Sequence, residues 1–480
     1  MRITFTLQQG SLPPGMTLNN DGSYSGTPTQ EGTYDFSIQI TNDGRQATDT
    51  IHVSVVPVNY ESPLEGDPGL ASFRPATNAP AYYVDAVNGM DSYDGNSPAK
   101  AWRTLAKLNS ITLKAGDVVR LARGSVWNET LYFESTELGT SSAPIIVEAY
   151  GSGVAPTIST TYPTAVHIGS SYITILDLRV CDAQWGFDIR REAQYVVLAG
   201  NEVINTSIGI YADGSGHRFL SNYIHDLRMI HNNPRDPNDY YGAVGVIFVG
   251  SNMEAAWNRL VNCIAPIYDF EVSGGAFQSY GSQPVQHIHI HHNLANNVNS
   301  FMDLYSGTDD LVIAHNLIIN SRRGLCFQFD DVSGSVNTYS GVRFENNTVL
   351  SDPRVTKEAV FYFASNHVGQ LLPGNSMIIR NNIIGSNMRL CHNPEALGAN
   401  LTHDHNLYNF TSGGSLGTLT LDPTEKTGDP KFVDPSKTDF RLMPGSPAID
   451  VGSAALYNYD LDNTAIPNGT SPDMGAYERY

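Results

Sequence analysis

One phrase of apolar and polar positions recurs through the middle of the chain: a β-rich stretch, an Asn, two or three apolar residues, then a polar stop. It stands at Asn201, Asn222, Asn258, Asn293, Asn316, Asn347, Asn382 and Asn406, with Asp177 in the same slot. Successive intervals from Asp177 are 24, 21, 36, 35, 23, 31, 35 and 24 residues. A coil of about 21–24 residues carrying insertions of roughly 8–15 accounts for every interval and predicts a solenoid. Each Asn is expected at a sharp bend, tolerating left-handed backbone and bonding its amide to the coils above and below.

The strand after each Asn alternates, and the alternation separates inside from outside. Phe187 and Ile189 are expected inward, with Asp188 and Arg190 outward; Ile208 and Ile210 inward, with Tyr211 outward. Tyr268, Phe270 and Val272 are expected inward, leaving Asp269 and Glu271 on the surface. Met302 and Leu304 point in and Asp303 and Tyr305 out; Cys326, Gln328, Asp330 and Tyr362 complete the outward set.

The first residues show a different rhythm. Tyr34, Phe36, Ile38 and Ile40 occupy every second position, as do Ile51, Val53 and Val55, with Asn42-Asp-Gly supplying a hairpin turn. Residues 1–58 therefore form a small β-sandwich, and the Pro-, Gly- and Glu-rich residues 59–80 a linker. Residues 81–165 hold an N-terminal cap and the first coils, 166–410 the coils with the candidate face, and 411–480 a C-terminal cap. Trp102, Leu105 and Leu108 fall at helical spacing and predict a short helix plugging the first coil. Asp85, Asp91 and Asp94 fit turn-forming carboxylates beside Asn88-Gly89 and Asp94-Gly95 better than a calcium loop.

Composition narrows the function. The chain of 480 residues has 28 Lys and Arg against 48 Asp and Glu, a net charge of −20. Such a surface repels phosphate backbones, so nucleic acid is not an expected partner, and no apolar stretch is long enough to span a membrane. Cys181, Cys263, Cys326 and Cys391 stand 82, 63 and 65 residues apart, without the close pairs that zinc or redox motifs need. Buried free thiols are the expectation, compatible with assembly in a reducing compartment.

Two segments carry resemblance to known families. The run Gly10-Ser-Leu-Pro-Pro-Gly-Met-Thr-Leu-Asn-Asn-Asp-Gly-Ser-Tyr-Ser-Gly-Thr-Pro-Thr resembles immunoglobulin-like domains of bacterial surface and phage proteins. That family begins with one or two strands missing here, so upstream sequence is expected. Tyr82-Tyr-Val-Asp-Ala-Val-Asn-Gly-Met-Asp, Lys114-Ala-Gly-Asp-Val-Val-Arg-Leu and the closing Gly428-Asp-Pro-Lys-Phe-Val-Asp-Pro resemble right-handed parallel β-helix proteins of the pectate-lyase-like superfamily. The resemblance implies an all-β chain, a right-handed single-stranded parallel β-helix behind an immunoglobulin-like sandwich. Phage tailspike depolymerases and secreted bacterial polysaccharide-degrading enzymes share this body. The tailspike type is favoured, implying a homotrimer on the virion tail, joined to tail or baseplate proteins through the missing N-terminal region and acting on bacterial cell-surface polysaccharide.

Adjacent coils lie about 4.8 Å apart, so Asp269, Glu271, Asp303 and Asp330 are expected to share an outer face. Crowded carboxylates raise one another's pKa and yield a protonated acid beside an ionised base, the pair that glycoside hydrolysis uses. Asp303 and Asp269 are the expected pair, with Glu271 and Asp330 assisting. Tyr305, Tyr211, Tyr362, Gln328, Asp188 and Arg190 are the expected substrate contacts, and no cofactor or metal is required. A β-eliminating lyase is the alternative, with Tyr305 or Arg190 as base and Asp269, Asp303 and Asp330 holding calcium. A non-catalytic glycan-binding adhesin is a third. The negative charge favours a neutral or sparsely charged glycan. The row His287, His289 and His291 is expected to be solvated or intersubunit rather than a metal site, and the insertion 226–241 to overhang one face as a substrate wall or as decoration.

Overall fold

The computed structural model describes residues 3–20, 24–26, 29–30, 32–42, 45–55, 70–232, 240–268, 271–328, 337–355, 358–363, 377–393, 401–411 and 413–479. Two compact units divide the chain, Met1–Glu65 and Gly66–Tyr480. In the first, strands Ile3–Gly10, Gly32–Asn42 and Arg45–Val55 make an antiparallel sheet, and Met16–Leu18 pairs with Tyr24–Gly26. The alternation of Phe36 and Ile38 is that of a half-buried strand, and both are buried.

The second unit is a right-handed parallel β-helix. Among the described residues one face is a 12-stranded parallel sheet from Ala81–Val84 to Leu401–Asp404, in which each strand pairs with its counterpart one coil on. The other faces form a 20-stranded sheet that takes two strands from most coils. The right-handed twist of the strands favours right-handed crossovers between parallel strands. Inside, Phe187, Ile210, Val246, Phe277, Met302, Leu325 and Phe361 stand in one register row, all fully buried. Rings stack along the axis, as in Phe248 on Phe277 and Phe327 on Phe363.

The recurring asparagines form a buried ladder. Nδ2 of Asn201, Asn222, Asn258, Asn293, Asn316, Asn347 and Asn382 each donates to Oδ1 of the next, at 2.9–3.2 Å. The same oxygens accept the backbone N–H of the coil below. The left-handed residue is not the Asn itself but its predecessor: Ser221, Trp257, His292, His315, Asn346, Asn381 and His405 all have φ of 51–56°. The bend thus costs a strained residue in each coil, offset by the satisfied amide beside it. At the last rung Asn406 donates to Glu425 Oε1 at 2.8 Å.

The helix expected near Trp102 is Leu105–Asn109, capped by Thr104, whose side chain accepts from Lys107 N. Leu105, Leu108 and the preceding Trp102 are buried against the first coils. Asp85 accepts the backbone N–H groups of Val87 and Asn88, and Asp94 that of Asn96, as turn-forming carboxylates do, whereas Asp91 reaches across to the N–H groups of Arg103 and Thr104 at the start of the helix. The C-terminal segment closes the last coil, where Lys426–Thr427 pairs with Leu407–Phe410. It then runs back along the bend face: Asn381 Nδ2 donates to Ser453 O, Ala476 N to Thr348 Oγ1, and Tyr457 packs on His291, His292 and His315.

Two expectations about parity fail. Tyr268 is 64% exposed, because Ala265–Ile267 and Glu271–Ser273 form an inserted antiparallel hairpin. The coil strand is instead Gly275–Ser279, and Gln278 takes the outward position. Ile208 is buried outside the central core, with Val244 and Ile247, under Trp185, Tyr211 and Tyr241. Gly186, Gly209 and Gly245 explain it: a Cβ at each would meet the next coil's backbone oxygen within 2.6 Å, and the chain bends there.

Candidate active site

On the outer face a single register row runs Tyr132, His167, Asp188, Tyr211, Ile247, Gln278, Asp303, Cys326, Tyr362, His392. At Asp303, Cys326 and Tyr362 this row is the floor of a cavity of about 340 Å³. Ile267, Val272 and Ser273 of the inserted hairpin wall it, and Asn299, Tyr305, Arg322, Arg323, Gln328 and Glu358 complete it.

Asp303 points out of the core but is only 7% exposed, and its Oδ1 has no hydrogen-bond partner. Burial raises its pKa, and the Arg323 charge opposes that rise without cancelling it. Arg323 grips Glu358 at both oxygens, Nε to Oε2 and Nη2 to Oε1, each at 3.0 Å. Its guanidinium also lies 4.8 Å over the Tyr362 ring. A buried carboxyl whose pKa is raised and a carboxylate held by a fork of donors therefore face one cavity. Such a pair can donate a proton on one side and activate a nucleophile on the other.

The expected site residues divide. Asp303, Tyr305, Gln328 and Tyr362 line the cavity together. Glu271 is not on the coil sheet; it sits on the hairpin, 83% exposed at the side chain, 3.4 Å from Arg322. Asp269 and Asp330 lie outside the described residues. Asp188, Arg190 and Tyr211 lie elsewhere on the outer face, Asp188 four register steps from Asp303. There Asp188 contacts His167 at 3.0 Å and Arg190 at 3.3 Å, and Tyr211 stacks on Trp185 at 5.1 Å.

Glu358, Arg322 and Arg323 were missed. Glu358 shares the parity of Tyr362 and was legible from it. Arg323 shares the parity of inward Leu325 yet lines the cavity, so the alternation breaks between them, across Gly324, where a Cβ would lie 3.0 Å from Val360 O. In the histidine row, His287 pairs with Asp310 and His291 with Glu254, both carboxylates coming from neighbouring coils. Insertion 226–241 is a hairpin, Met229–Asn232 on Tyr240–Gly242; its residues 233–239 lie outside the description. Among the described residues no three His, Cys, Asp or Glu are grouped to hold a metal ion, and no helix is long and apolar enough to cross a membrane.

Residues 1–56 match the family model He_PIG, described as "Putative Ig domain". The N-terminal unit is an immunoglobulin-like module. A stretch of 72 residues is 38% identical to a lacto-N-biosidase of Bifidobacterium longum subsp. longum; it spans 15% of this chain and 4% of that relative's length. Three solved structures are similar at low identity. The lacto-N-biosidase of Eubacterium ramulus is 15% identical over 69% of this chain and 68% of its own, with a TM-score of 0.40. The alginate lyase of a Paenibacillus species is 14% identical over 68% and 96%, with a TM-score of 0.39. A tailspike protein of an E. coli bacteriophage is 11% identical over 65% and 60%, with a TM-score of 0.35. The β-helix assignment rests on strand register, not on these likenesses.

Proposed function

We propose that the protein degrades bacterial surface polysaccharide by glycoside hydrolysis in the cavity over Asp303. One observation carries the reading: buried Asp303 and Arg323-held Glu358 face the same 340 Å³ space. Asp303 would protonate the leaving glycosidic oxygen and Glu358 would deprotonate the attacking water. One coil lies between their strands, so the two backbones are separated by about 10 Å along the axis. Tyr305 supplies a face for a sugar ring, while the faces of Tyr362 are taken by Arg323 and by His392, stacked at 4.6 Å.

Incubation with a panel of capsular and O-antigen polysaccharides tests this. New reducing ends from the wild type, and almost none from Asp303→Asn, are expected. An unsaturated product would instead assign β-elimination, which two guanidiniums beside Tyr305 could support. Binding without any product, unchanged in Asp303→Asn, would make the protein an adhesin. The setting we favour is a phage tailspike, supported by four buried free cysteines that suit assembly in a reducing compartment. A native mass other than three times the 52.3 kDa chain would sink that setting.

A further inference from the structure

The charge of the cavity does not follow the charge of the chain. The whole protein carries −20, yet Arg322 and Arg323 line this space beside Glu358 and the buried Asp303. Arg323 is satisfied by Glu358. Arg322 is not. Its side chain is only 20% exposed, and among the described residues its Nε is buried without a hydrogen-bond partner and its one ion pair is a 3.4 Å contact to Glu271. Glu271 is 83% exposed on the hairpin, so water and salt screen that pair. Asp352 also feels the Arg322 charge, but Arg354 holds both of its oxygens.

A largely desolvated guanidinium with one weak, exposed partner is the group that captures a planar anion from a ligand. Ile267 and Val272 beside it offer an apolar wall for a ring. We propose that Arg322 binds a carboxylate on the sugar held in this cavity, making the substrate an acidic, uronate-type polysaccharide. The proposal rests on the cavity being the cleavage site, and it reverses the preference for neutral glycans that net charge alone suggests. Glu271 then occupies the carboxylate's place until a ligand displaces it.

The test is binding of glucuronate and galacturonate against glucose and galactose, read by ligand-observed NMR on the full chain. The acids should bind about tenfold more tightly, the worth of one charge-assisted hydrogen bond. Arg322→Gln should erase the preference while circular dichroism stays unchanged. Glu271→Gln, at an exposed position that folding does not depend on, should tighten acid binding by removing the competing anion. Equal affinity for acid and neutral sugars, absence of acid binding at millimolar concentration, or a preference unmoved in both variants overturns the proposal. Failure of the hydrolase reading looks different: the acids bind with the stated preference, yet no polysaccharide is cut.

Discussion

Glu358 and Arg323 meet through two parallel hydrogen bonds of 3.0 Å, Arg323 one coil beyond Asp303 and Glu358 two. This fork fixes both partners, because two donors on a planar group define the carboxylate plane as well as its distance. It also places a permanent positive charge near Asp303, which lowers a pKa that burial would otherwise raise further.

If Asp303 is the proton donor and Glu358 the base, Asp303→Asn and Glu358→Gln should each lower kcat by about 10²–10⁴-fold, the range of general acid–base catalysis. Glycan affinity should change little. Steady-state kinetics with reducing-end detection would show it; a variant retaining near-wild-type kcat rules its residue out of that role.

The Arg323 charge gives a signed pH prediction. Activity is lost as pH rises through the pKa of Asp303, because the donor loses its proton. Arg323→Gln removes a cause that lowers this pKa, so the alkaline limb of kcat/KM should move to higher pH. Arg323→Lys keeps the charge and should leave the limb in place while kcat falls. A limb that moves down in Arg323→Gln would contradict the assignment.

Within the bend ladder, Asn293 accepts from Asn258 N and Nδ2 and donates to Asn316 Oδ1, all fully buried. Asn293→Ala leaves those donors unpaired and should cost about 2–4 kcal/mol by urea unfolding, more than a surface Asn. A cost under about 0.5 kcal/mol would mean the ladder contributes little.

The return strap covers histidines that burial keeps neutral. His292 is held well below its usual pKa and His315 is pushed down to about 3, in each case by burial first and a neighbouring His second. His315 has no hydrogen-bond partner on either ring nitrogen. Above pH of about 6.5 these groups are neutral whether folded or unfolded and make no pH-dependent contribution. Below it the unfolded chain gains protons that the folded one refuses, so stability should fall steadily toward acid. His315→Phe should flatten that slope in thermal melts taken from pH 4 to 8.

The sequence determined the coil. Asparagine at a spacing of one coil plus insertions, and apolar residues at every second position beyond it, are local patterns that need no partner to be read. They located the bends, the inward Phe187, Met302 and Leu325, and the outward Asp303 and Tyr362. Tertiary structure decided which outward groups meet. Strand parity holds only while a strand alternates regularly, and between Arg323 and Leu325 it does not, which leaves Arg323 on the outer face. An inserted hairpin took Glu271 off the sheet and made it Arg322's weak partner instead. Charge counted along the chain gave −20 and an acidic surface. Only the folding of distant residues onto neighbouring coils made one cavity in that surface hold a guanidinium in need of an anion.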